Sequence, residues 1–96
     1  MSPKNKRKLN LIRIKLDKLD NKLLQLIKTR SNLVKEVLRV KEFKSEIVDK
    51  KRINFILSKI KLKSKKIKID PKITNRIWKN MIWSFIDFER RNFKKK

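Results

Sequence analysis

The chain has 96 residues, with no Gly, Cys or His and only two Pro, and its 31 Lys and Arg against 9 Asp and Glu give a net charge of +22. Without His and Cys, the usual zinc sites and His- or Cys-based covalent catalysis are excluded, and without Gly there is no phosphate-cradling loop. No apolar run of about 18 residues is present to span a membrane, and no continuous apolar segment follows the basic start, so no secretory leader is expected and the expected location is cytoplasmic.

The charge has two explanations. A strongly basic chain suits a polyanion. An A/T-rich genome gives the same composition whatever the function, since Lys, Ile and Asn abound while Gly and Ala are absent. Nucleic acid is not the expected partner: no recognition-helix motif and no exposed aromatic among the cations can be identified.

In chain order, residues 1–6 read as a polar, frayed lead-in. Helix 1 is expected over about 7–43. Its apolar residues recur at steps of three and four: Leu9, Ile12, Leu16, Leu19, Leu23, Leu26 or Ile27, Leu33 or Val34, and Val37. The stretch Leu9–Lys41 alone makes a helix about 50 Å long. A compact monomer of this size has a radius of gyration of about 12–13 Å. The rest of the chain cannot cover such a stripe, so a homodimer is expected.

Residues 44–48 read as a short loop. Asp49 is the expected N-cap of helix 2, over about 49–62, with Ile53, Ile56, Leu57 and Ile60 on its apolar face. The lysine-rich KLKSKKIK at 61–68 reads as a solvated, mobile helix end and connector. Asp70-Pro71 marks the start of helix 3, over about 71–92, with Asp as N-cap and Pro at the first helical position. The basic tail Lys94–Lys96 suits its C-terminus. No strand pattern or internal repeat appears. The expected fold is all-α, a single domain over 1–96 with three helices of unequal length.

Cations interrupt the apolar stripe of helix 1. Arg30 and Lys41 are eleven residues apart, about three turns plus 20°, so they share a face. Val34 and Val37 lie between them on that face. Long cations on an apolar face either snorkel to water or need an anion. Two of them with no acid between favour a ligand anion. Arg13 lies about 100° around from Arg30 and suits a pocket in a partner chain. On helix 3, Glu89 falls on the stripe of Trp78, Ile82, Ile86 and Phe93, while Asp87 points away. Such a Glu either pairs with a buried cation, Arg30 or Lys41, or is held protonated as a hydrogen-bond donor. Arg52, at the start of helix 2, fits a pocket for two negative groups.

These residues carry a family resemblance. Ile12-Arg13, Leu19-Asp20-Asn21-Lys22-Leu23-Leu24, Arg30, Val37 and Lys41 match the first helix of the all-helical chorismate mutases. Val48-Asp49-Lys50-Lys51-Arg52 resembles the family's second helix start. Ile77-Trp78 through Glu89 resembles its last helix, where the family carries Gln or Glu at the position of Glu89. The resemblance covers nearly the whole chain.

It implies an intertwined homodimeric helical bundle that converts chorismate to prephenate in aromatic amino acid biosynthesis. It implies no cofactor and no metal. Arg30 and Arg52 would bind substrate carboxylates from one chain, and Arg13 from the other. Lys41 and Glu89 would hydrogen-bond the ether oxygen. Two positions depart from the pattern. Ile53 stands where many members carry a Glu that contacts the substrate hydroxyl, and Phe85 stands where the family has a Ser. That leaves Asp49 or the loop backbone to hold the hydroxyl. The related isochorismate-pyruvate lyases share the fold and tend to lack that Glu, so a salicylate-forming lyase is the alternative activity.

Overall fold

A computed structural model describes residues 1–94. Those residues form three α-helices and one short 3₁₀ turn. α1 spans Pro3–Val40, η1 spans Lys44–Glu46, α2 spans Lys50–Lys66 and α3 spans Pro71–Asn92. The basic tail beyond Lys94 lies outside the described residues. The chain divides into two units, Met1–Leu33 and Val34–Lys96.

The first unit is helical from Pro3 onward, where a frayed lead-in was expected. Ser2 is the reason: its Oγ accepts from the Asn5 N–H at 3.2 Å, and its carbonyl from the Lys6 N–H at 2.9 Å. Pro3 then occupies a first-turn position, where its missing N–H costs nothing. None of α1 is fully buried. Ile12, Leu16, Leu19, Leu23, Leu26 and Leu33 are each more than half exposed.

In the second unit α1 stops at Val40, three residues before the expected end. The cause is Glu46. Its Oε1 accepts from the backbone N–H of Glu42 at 3.3 Å and of Phe43 at 3.0 Å. In a continuing helix those N–H groups would bond the carbonyls of Leu38 and Arg39. The Glu46 N–H in turn donates to the Phe43 carbonyl at 3.0 Å. Glu46 thus closes the loop reciprocally, in the manner of a capping box. Ile47, next to it, is the most buried apolar residue, at 3 % exposure.

Asp49 caps α2, its Oδ1 accepting from the Arg52 N–H at 3.0 Å. α2 runs a full turn beyond the expected 62. Ser64 anchors that turn: its Oγ bonds the Ile60 carbonyl at 2.6 Å and the Thr74 hydroxyl of α3 at 2.8 Å, and both residues are buried. So 61–66 is the helix end, exposed as expected except at Ser64, which pins it to α3. The helix ends in a Schellman motif. The Ile69 N–H bonds the Ser64 carbonyl and the Lys68 N–H bonds the Lys65 carbonyl. Lys68 supplies the left-handed residue, with φ 62°. Glycine fills that place in most proteins, and a side chain there costs about 1–2 kcal/mol.

Asp70 caps α3, its Oδ1 accepting from the Lys72 N–H at 2.9 Å, and Pro71 sits in the first turn. α2 and α3 pack on one another. The buried apolar core is Ile47, Ile82 and Ile86, surrounded by Val48, Ile53, Ile56, Leu57 and Phe93. A loop residue plugged between two helices therefore organises this unit. Each such side chain contributes about 1.5–3 kcal/mol on burial.

Candidate active site

α3 carries its candidate site residue on the face that forms the core. Ile82, Ile86 and Glu89 follow at steps of four and three, hence on one line. All three are buried, Glu89 to 5 % exposure. A carboxylate there needs a partner, since an unpaired buried charge is strongly disfavoured.

Lys41 is that partner. Its backbone N–H still bonds the Val37 carbonyl at 3.2 Å, so it completes the last turn of α1. Its Nζ donates to Glu89 Oε1 at 3.0 Å, with the two side chains 16 % and 7 % exposed. Of the two cations read as partners for Glu89, Lys41 makes this bond. The pair ties the C-terminal end of α1 to α3 across 48 residues of sequence. Away from water the attraction within such a charge-assisted bond exceeds that of a surface ion pair, and the cost of desolvating both charges offsets part of it. Asp87–Arg91 shows the contrast: at 2.9 Å, with both side chains over 60 % exposed, it contributes a few tenths of a kcal/mol.

Arg13 and Arg30 belong to the first unit. Arg13 is exposed and Arg30 is half-buried. The Nη1 of Arg30 is shielded from solvent, so its head group does not simply snorkel to water.

Asp49 and Arg52 are linked through the N-cap bond. Asp49 also lines an open hollow of about 470 Å³ with Ser45, Glu46, Val48, Lys50 and Lys51. The Arg52 guanidinium lies over the Phe55 ring at 5.4 Å, and Lys59 approaches the same ring at 5.5 Å. Phe55 is 53 % exposed. It is an aromatic among cations that the sequence reading did not find. The signal was present as Arg52, Phe55 and Lys59, spaced three and four apart on one helix face.

Ile53, which departs from the family pattern, is half-buried and packs against the Ile47–Ile82–Ile86 core. Its side chain brings no polar group to that position. Sequence reasoning also missed Glu46. A Glu three residues after the cap position is half of a capping-box signature, but the cap residue here is Phe43 rather than Ser or Thr. Among the described residues no cluster of metal-ligating side chains occurs, and no helix is long and apolar enough to cross a membrane.

Compared with known families, residues 12–90 match the model of chorismate mutase type II. The matched span begins just before Arg13 and ends just after Glu89. Neither the curated proteins nor the solved structures include a significant match to the chain.

Proposed function

Since the chain belongs to the type II chorismate mutase family, we propose that it converts chorismate to prephenate as a homodimer with two composite sites. The observation that carries this reading is the Lys41–Glu89 pair, held at 3.0 Å and largely withdrawn from water. These are the two side chains that the family resemblance places at the ether oxygen.

The rearrangement is unimolecular. The ether C–O bond breaks as a C–C bond forms between the enolpyruvyl methylene and the ring, and no atom enters or leaves. It needs no nucleophile, metal or redox group. The substrate is a flexible dianion that must be folded into a chair-like shape, and negative charge builds on the ether oxygen. Arg30 and Arg52 of one chain, with Arg13 of its partner, hold the two carboxylates and supply the fold. An ammonium carries three N–H donors, so its bond to Glu89 is compatible with donation to the ether oxygen. Glu89 orients that ammonium by accepting one of its N–H bonds. Donors preorganised in a dry site stabilise the developing charge more than the ground state.

The homodimer is supported by the exposed apolar residues of the first unit. Six large apolar side chains more than half exposed on one stripe of one helix are far more than scattered surface hydrophobes. A second copy offers the same stripe by two-fold symmetry.

One observation favours the lyase as a second reading: the apolar Ile53 at the position where many mutases place a carboxylate. The two activities separate in one experiment. Purified protein is incubated with chorismate and, in parallel, with isochorismate, and prephenate and salicylate are followed. The mutase reading expects prephenate from chorismate. Salicylate from isochorismate with no prephenate from chorismate refutes it in favour of the lyase.

A further inference from the structure

We propose that Glu46 is a positioning residue for Lys41, setting the place of its ammonium through the backbone that follows it. The claim rests on the reading of Lys41 as a group that touches substrate.

The geometry forms a closed ring. Lys41 is the first residue beyond α1, and its Nζ reaches Glu89 of α3 at 3.0 Å. The next two backbone N–H groups, of Glu42 and Phe43, are both taken by Glu46 Oε1. Ile47 follows Glu46 and is buried with Ile82 and Ile86. Those two lie on the same α3 face as Glu89. So one segment is fastened to α3 twice, by the Lys41 ammonium at one end and the Ile47 side chain at the other. The Glu46 carboxylate fixes the spacing between these attachments.

Without the clamp, nothing in the sequence Glu42-Phe43-Lys44 stops the helix, as the expected end at 43 illustrates. A longer α1 would carry Glu42 and Phe43 around the helix and redirect the path from Lys41 to Ile47. Glu46 itself is exposed, so it does not stabilise the core by burial. Its carboxylate accepts from both backbone N–H groups with a single oxygen, which a Gln side chain can reproduce.

The test compares Glu46→Ala, Glu46→Leu and Glu46→Gln by two independent readouts. The first is the coupling between Lys41 and Glu89, from a double-mutant cycle in denaturant unfolding repeated in each Glu46 background. The second is chorismate mutase kinetics well below the unfolding transition. In the Ala and Leu variants the coupling is expected to vanish. In the same variants kcat is expected to fall about ten- to a hundredfold with KM within about twofold, the loss typical of a displaced catalytic group. Glu46→Gln is expected to restore both.

A purely structural role would lower the unfolding midpoint and leave coupling and kcat unchanged, which would overturn the proposal. So would loss of coupling with unchanged kcat in an active enzyme. If the wild-type protein lacks mutase activity, the proposed function falls by itself. The coupling arm then still decides Glu46: loss in Ala and Leu with rescue by Gln upholds the clamp, and retention refutes it.

Discussion

Lys41→Ala is expected to lower kcat for chorismate rearrangement by about 10²- to 10³-fold, the usual loss on removing one preorganised donor from developing negative charge. The variant also loses stability. It leaves the Glu89 carboxylate, on a side chain only 7 % exposed, without the cation that it bonds. Removing one member of a buried ion pair costs about 3–5 kcal/mol when burial is complete, and somewhat less here because Lys41 is 16 % exposed.

The two losses have separate origins and can be separated. Adding Glu89→Gln to Lys41→Ala removes the unpaired charge. The double variant is therefore expected to recover much of the stability and none of the activity. Glu89→Gln alone keeps an acceptor for the Lys41 ammonium and is expected to stay active, as suits a family that carries either residue there. Denaturant midpoints and steady-state kinetics on the three variants measure both quantities. A Lys41→Ala enzyme with unchanged kcat would remove Lys41 from the site.

The second large effect concerns the exposed stripe of α1. Leu19 and Leu23 are 59 % and 53 % exposed, near the middle of the Met1–Leu33 unit. Covering the half of each that is still exposed stabilises the assembly by about 1 kcal/mol per side chain. Placing a charge at each loses that gain and adds the cost of burying a carboxylate. Leu19→Glu with Leu23→Glu is therefore expected to shift the protein from twice 11.8 kDa to monomer in sedimentation equilibrium. Activity is expected to vanish with the dimer, because Arg13 is assigned to the partner's site. A double variant that stays dimeric would place the dimer interface elsewhere. One that is monomeric and fully active would remove Arg13 from the composite site.

Much of this could be read in the sequence because it depends on local chemistry. Asp70 followed by Pro71 announces the start of α3 through a cap and a first-turn proline, and α3 begins there. Glu89 stands out because the step of three and four puts a carboxylate on an isoleucine stripe. Lys41 stands out in the same way on α1. Which cation meets Glu89 could not be read, since that depends on tertiary contacts and not on the pattern of either helix.

The ends of α1 were misread for two different reasons. At the start, Ser2-Pro3 is a helix signal too short to weigh against a polar context. At the end, the residues after Val40 have no strong breaker, and the stop comes from the Glu46 side chain reaching back to them. The extra turn of α2 was hidden for a third reason. Ser64 looks like a solvated hydroxyl among lysines until Thr74 of another helix supplies its partner.

The proposed site is composite, with Lys41 and Glu89 from one chain and Arg13 from its partner. Subunit mixing separates such a site from one built within a single chain. Arg13→Ala and Lys41→Ala homodimers are each expected to be nearly inactive. When equal amounts are unfolded together and refolded, heterodimers form. In each heterodimer one site carries both defects and the other carries neither. Random pairing into two-fold dimers then restores about one quarter of the wild-type activity. A mixture no more active than the sum of the two separate variants, with heterodimers shown to be present, would contradict the claim.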